Sequence, residues 1–259
     1  MTSPARPAVG AEAGGVRAVP IEPPADALVV DAPGPGWVQQ ISSQALRDAL
    51  GEGQTVRLDV AVGSFVAEGT PLGHLWPPPD DEAETVRRIR RAFALGNERT
   101  LQQDVGLGLV RLGDIALRAL SPSLNDPNTA DEVIVRLGAV VREILLRELP
   151  SPVEEWEGRT IVRIHDVDHG DYVRRAFDQI RLGAASHPYV LATLVRTLGM
   201  LAKECERHGV PDRRQYLVAQ VEAVQATLDR SLPEGDRRLV HQAVEESRLV
   251  DPARIADSS

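Results

Sequence analysis

Residues 105–144, VGLGLVRLGDIALRALSPSLNDPNTADEVIVRLGAVVREI, decide the fold, because they read as two apolar helices joined by a tightly specified turn. Val105, Leu109, Leu112, Ala116 and Leu120 recur at helical spacing, with Gly106 and Gly113 on the same face. Side chains three and four residues apart share one side of a helix, so this face should be buried. Two glycines seven residues apart on it predict a helix neighbour at close range. Val133, Leu137, Val140 and Ile144 repeat the pattern beyond the turn.

The turn itself is RALSPSLNDPNTA, 118–130. Pro122 disfavours helical backbone at Ser121, so the first helix should end near Leu120. Asp126 before Pro127 is a helix start, since the carboxylate can accept from free N–H groups and proline suits the first helical position. Thr129 with Glu132 offers an overlapping capping box. Arg118, Asn125, Asp126 and Asn128 also converge near a helix N-terminus, where an anion can bind. Two readings stand: a turn that locks two helices together, or a ligand clamp.

Helical periodicity continues outward from this pair. Further helices are expected at about 170–184, 188–207, 211–230 and 235–248. Leu191, Leu194, Leu198, Leu201 and Cys205 form one seam, and Leu217, Val221, Val224 and Leu228 another. Burying each leucine contributes roughly 1.5–3 kcal/mol, so the seams imply helix-on-helix packing. TIVRI, 160–164, reads as a short strand or extended segment after a break at LPSPVEEWEGR. Upstream, a helix is expected at about 98–120, and VRRIRRAF, 86–93, sets Val86, Ile89 and Phe93 as one stripe among arginines. Arg87, Arg88 and Arg91 on such a helix can meet an anionic membrane surface or an acidic partner.

Residues 26–78 read differently. ALVVD and GWVQQI are strand candidates, SSQALRDAL is a short helix, and Val56, Leu58, Val60 and Val62 alternate with the period of a half-buried strand. Gly63 and Gly69 mark turns. Val60, Val62, Gly63, Val66, Gly69, Pro71, Leu72 and Leu75 resemble half of a lipoyl- or biotinyl-type barrel-sandwich module. Such carriers need a lysine at a hairpin tip, and residues 26–81 contain none. The fold class expected is therefore α+β: a small barrel-sandwich-like β module (26–78), then a mainly helical bundle (82–250). Residues 1–25, with five prolines, read as a disordered tail, and 251–259 as a flexible one.

Composition narrows the function. The 259 residues are 42% hydrophobic, 26% charged and only 3% aromatic, so the core must be aliphatic. The net charge of −9 repels phosphate backbones and argues against nucleic acid as a partner, a local basic cluster excepted. One cysteine, Cys205, excludes an intrachain disulfide. One lysine, Lys203, lies in GMLAKECER without a glycine-rich loop, which excludes a Walker A site. No stretch reads as membrane-spanning or as a signal peptide. No cofactor is implied.

Two polar constellations remain. IHDVDHGDY, 164–172, places His165, Asp166, Asp168 and His169 close in sequence, side chains that suit a divalent metal and a metal-dependent hydrolase. Asp168 and Asp171 equally suit a helix cap. In NERTLQQD, 97–104, a buried Arg99 would need a carboxylate, and Asp104 or Asp126 can serve.

The run 96–130 resembles a bacterial family, domain of unknown function 2254, usually described as a predicted membrane protein. The resemblance rests on Arg99-Thr100, Gln103-Asp104, Gly108, Asp114-Ile115-Ala116, Arg118 to Pro122, Asn125-Asp126-Pro127 and Thr129-Ala130. It implies a polar network, for ligand binding or for structure, of Arg99, Gln103, Asp104, Asp114, Arg118, Ser121, Asn125, Asp126 and Thr129. Members of that family carry N-terminal transmembrane helices; here a short polar tail precedes the β module. The resemblance thus implies the family's soluble C-terminal region: a non-enzymatic interaction, regulatory or oligomerisation module. Its expected place is cytoplasmic, at the inner membrane face, as a homo-oligomer or on a membrane protein. A small-anion sensor at 99–130 is the alternative.

Overall fold

A computed structural model describes residues 22–165, 167–231 and 233–250. The tail expected over 1–25 lies outside the described residues up to residue 21, as do all of 251–259 and Asp166. The chain is mixed α/β, with two small open sheets and eight α-helices among the described residues.

The first part runs β1 (Leu28–Asp31), β2 (Gly36–Ile41), α1 (Ser43–Ala49), β3 (Thr55–Leu58), β4 (Phe65–Val66), β5 (Pro71–Trp76), α2 (Glu82–Arg90) and β6 (Phe93–Gly96). Then come α3 (Val105–Ala119), α4 (Pro127–Leu146), β7 (Val153–Trp156) and β8 (Arg159–Arg163). The rest is helical: α5 (His169–Gly183), α6 (Pro188–Arg207), a 3-10 turn at Pro211–Arg213, α7 (Arg214–Ser231) and α8 (Glu234–Ser247).

Strands from both halves of the chain build the larger sheet, in the order β1-β5-β3-β8-β7. β3 pairs antiparallel with β5, Val56 opposite Leu75, and parallel with β8, Val56 opposite Ile161. The smaller sheet is β4-β2-β6. Val56, Leu58, Leu72, Leu75, Ile89, Phe93 and Ile161 share one aliphatic cluster. A second cluster holds both leucine seams together with Leu109, Ile134, Leu137 and Phe177. Leu191, Leu194, Leu198, Leu201 and Cys205 are all at most 1% exposed.

Three local expectations change. Phe93 does not extend the α2 stripe but opens β6 opposite Ile41, because the edge of β2 offers it a backbone partner. The helix expected from about residue 98 begins only at Val105, where Asp104 caps it. Gly113 has nothing within 4 Å of the position its Cβ would take, so it makes no close helix contact. The close approaches lie elsewhere. A methyl on Gly138 of α4 would meet Thr197 Cγ2 of α6 at 2.5 Å, and one on Gly199 of α6 would meet the Ser247 backbone of α8 at 3.0 Å.

Candidate functional site

The signature residues divide between the two ends of α3. At its start, Asp104 accepts from the Leu107 N–H at 2.9 Å and so caps the helix. Its other oxygen takes Arg99 Nε at 2.8 Å and Nη2 at 2.6 Å. The Asp104 side chain is 4% exposed, so its charge must be matched locally, and Arg99 supplies that match. The Arg99 guanidinium also lies 5.8 Å from the ring centroid of Trp37 on β2. Gly63, at φ 88°, turns the β3–β4 loop against this pair; a Cβ there would sit 2.5 Å from Asp104 Oδ2. Gln103, exposed, accepts from the Ile41 N–H at 3.1 Å and ties the end of β2 to the same corner.

At the far end of α3, roughly 20 Å away by helical rise, the turn satisfies itself. The Ser121 hydroxyl donates to the Arg118 carbonyl at 2.7 Å. Asn125 takes a left-handed φ of 44°, and the next N–H, of Asp126, returns to the Ala119 carbonyl at 2.8 Å. Asp126 caps α4 by accepting from the Thr129 N–H at 3.2 Å and its hydroxyl at 2.6 Å. That hydroxyl bond first, with the Thr129 N–H, holds the Asp126 carboxyl below its usual pKa. Asp114 and Arg118 are exposed on the outer side of α3. Arg99 and Asp104 thus meet each other, and neither meets Arg118, Asn125 or Asp126.

The Arg99–Asp104 corner borders a cleft of about 740 Å3. One side is apolar, from Ile41, Leu58 and Val60 to Val62. Opposite stand the first turn of α3, the β7–β8 hairpin, and the segment entering α5 with His165, Tyr172 and Arg175. Glu154 on β7 anchors the hairpin wall: its carboxylate pairs with Arg163 of β8 at 2.9 Å and with Arg47 of α1. Burial alone would raise its pKa, but hydrogen bonds from Arg163 and Arg47 outweigh burial and hold it below the usual glutamate range. Arg163 also donates to the Ser43 hydroxyl at 2.8 Å. Arg175 of α5 lines the same cleft, its guanidinium against Gly106 in the first turn of α3. The glycine leaves room for it: a side chain at 106 would collide with that arginine.

The acid–histidine segment beside the cleft is spent on structure. Asp168 caps α5 by accepting from the Asp171 N–H at 2.7 Å, and Asp171 returns the bond from the Asp168 N–H at 2.9 Å. For Asp171, burial raises the pKa, but the Asp168 N–H and Arg174 more than offset it, leaving the pKa below the usual range. His169 Nε2 is 3.0 Å from the Arg147 carbonyl at the end of α4, and His165 is exposed. Among the described residues no three His, Cys, Asp or Glu side chains are grouped to hold a metal ion. With both caps formed and His169 on a carbonyl, the metal set of His165, Asp168 and His169 does not come together; Asp166 lies outside the described residues.

Sequence reasoning missed Arg47, Glu154, Arg163 and Arg175 as neighbours. One local signal was present. Glu157 and Gly158, both at positive φ (45° and 74°), make the two-residue turn between β7 and β8, and the glycine between two strand-like runs is the part of that turn a sequence can show. Nothing local shows that the hairpin joins β3, about a hundred residues earlier in the chain.

The family described as predicted membrane protein (DUF2254) matches residues 9–200. An uncharacterised protein of Mycobacterium bovis and one of Mycobacterium tuberculosis are each 34% identical over 228 residues, which is 85% of this chain and 43% of theirs. The chain thus spans less than half the length of the curated relatives it matches. No solved structure matches it. Among the described residues no helix is long and apolar enough to cross a membrane. The family match takes in both sheets, the Arg99–Asp104 corner and every residue of the cleft, and the chain belongs to the DUF2254 family of predicted membrane proteins.

Proposed function

We propose that this chain is a non-enzymatic regulatory module that binds a small ligand in the 740 Å3 cleft and passes its presence to a protein partner. One observation carries the reading: the cleft joins two stretches far apart in sequence, 103–106 and 163–175, across the edge of the larger sheet. A pocket of this size, lined by apolar and polar side chains in nearly equal measure, lies within the size range of small-molecule sites. Two of its three lining acids are held in ion pairs: Asp104 is committed to Arg99 and a helix cap, and Glu154 to two arginines. In this reading the β-rich part, which resembles half of a barrel-sandwich module in sequence and has no lysine over 26–81, serves as a wall of the cleft and not as a carrier.

The partner is a second copy of the chain or a membrane protein. Peripheral contact through Arg87, Arg88 and Arg91 belongs to the same proposal, although Arg87 pairs with Glu84 and Arg88 donates to the Asp48 carbonyl. A fragment screen by two-dimensional NMR tests the core claim. Saturable shifts should cluster at the amides of Val105, Gly106 and Tyr172. Shifts scattered over the surface, with none at the cleft, would sink the reading. Light scattering on the same sample reads the oligomeric state; a monomer at every concentration removes the second copy as partner.

A further inference from the structure

Resting on the cleft as a ligand site, we propose that its ligand is an amphiphilic anion: a phosphate or carboxylate head joined to an apolar body. The charge balance of the walls points to the head. Arg47 and Arg163 share the single carboxylate of Glu154, and their side chains are only 24% and 17% exposed. One positive charge in that group is therefore uncompensated, and it is only partly hydrated. Arg175 adds a further guanidinium to the lining, with no ion pair or hydrogen bond to another described residue. Asp104 does not cancel it, because Arg99 already neutralises Asp104. Glu155 also lines the cleft; it and Arg175 are both exposed, so water screens the two alike and they offset each other. Counting Arg47 and Arg99, which pair with lining acids, four arginines stand against Asp104, Glu154 and Glu155 among the described residues, in a chain of net charge −9.

The size and the other walls point to the body. A phosphate ion alone leaves most of 740 Å3 empty, while Val62, Val105, Leu149 and Val153 present apolar surface to the space. Val105 is 47% exposed at the start of α3, next in the chain to Gly106, against which the Arg175 guanidinium lies. Covering that surface while neutralising the arginines requires both properties in one molecule. Such a molecule is either a soluble acid with a short aliphatic body or the acidic head and upper chain of a membrane lipid. The chemistry at the cleft is the same for both.

Calorimetric titration of the full chain with octyl phosphate, octanol and inorganic phosphate tests the head and the body separately. Octyl phosphate should bind saturably at one per chain and more tightly than either part alone. Arg175→Gln should weaken it about tenfold or more, the worth of a charge-assisted hydrogen bond, with an unchanged melting curve because Arg175 is exposed. Sedimentation with phosphatidic acid vesicles, set against phosphatidylcholine vesicles, separates the sources. Binding to the acidic vesicles that Arg175→Gln abolishes assigns the lipid; binding to octyl phosphate without vesicle binding assigns the soluble acid. If octanol and octyl phosphate titrate alike, or Arg175→Gln changes nothing, the anion is refuted while the cleft remains a binding site. If octyl phosphate does not bind at all, the proposal falls, and the fragment screen alone decides whether the cleft binds anything.

Discussion

Replacing Asp104 with alanine should destabilise the protein by about 1.5–5 kcal/mol, more than the loss of its helix cap alone. Two terms add. Losing an aspartate N-cap costs about 0.5–2 kcal/mol. Stranding the paired arginine adds to that: breaking a fully buried ion pair costs about 3–5 kcal/mol, but Arg99 is 26% exposed and can recover part of its hydration. About 1–3 kcal/mol is the discounted figure for that second term. Asp104→Asn keeps a capping oxygen and loses the charge, so it should cost only the second term. Urea unfolding of wild type, both variants and Arg99→Ala, with the Arg99→Ala/Asp104→Ala double variant, measures every leg of the cycle. The expected coupling between Arg99 and Asp104 is at least about 1 kcal/mol. The control is Asp126→Ala, which removes the same residue type from the cap of α4, where the carboxylate is exposed and carries no arginine. Equal losses at Asp104 and Asp126, or a coupling near zero, would refute the idea that the pair pins α3 to the β-rich part.

Gly199→Ala should cost about 1–3 kcal/mol, the usual penalty of overpacking, because its methyl meets the Ser247 backbone at 3.0 Å and α6 must part from α8; a melting temperature equal to wild type would contradict that packing. Glu154→Gln tests the hairpin wall through pH. The folded pKa of Glu154 lies below the ordinary 4.5, so its stabilisation is present above that value and is lost as the pH falls through the depressed one. The gap in melting temperature between wild type and Glu154→Gln should therefore be full at neutral pH and close on acidification; a gap that does not change with pH would exclude the ion pairs as its source. Arg213→Ala should be severe, about 2–4 kcal/mol, since this 5%-exposed arginine donates to the Leu145 and Arg147 carbonyls that end α4. Glu148→Ala should be mild, because Glu148 is 86% exposed, and equal effects in thermal melts would reverse the assignment of the carbonyls as the main partners.

The helical half was legible in the sequence because helix signals are local. The helices expected at 188–207 and 235–248 appear as Pro188–Arg207 and Glu234–Ser247, and the two leucine seams are buried as their spacing required. The turn 118–130 was legible for the same reason: Ser121, Asn125, Asp126 and Thr129 act on backbone within a few residues of themselves. Within the candidate site, the sequence also gave Arg99 two acids to choose from, Asp104 and Asp126. It could not choose, since the choice depends on where the chain goes after residue 99.

Tertiary structure made that choice and the others like it. The backbone from 99 to 104 leaves the helical path, which brings Arg99 back to Asp104 and sends Asp126 to the far end of α3. The four-residue strand β6 and the hairpin β7–β8 are fixed by partners, β2 and β3, that lie tens of residues away, and a short strand carries little information about its partner. The cleft follows from those pairings, because only the parallel match of β8 to β3 brings Arg163 and Glu154 beside Ser43 and Arg47. Sequence alone carried most of the helices, the two leucine seams and the Asp126 cap, all set by contacts a turn or two apart. Which charges meet across the chain, and the cavity they enclose, were decided by long-range strand pairing that no local spacing encodes.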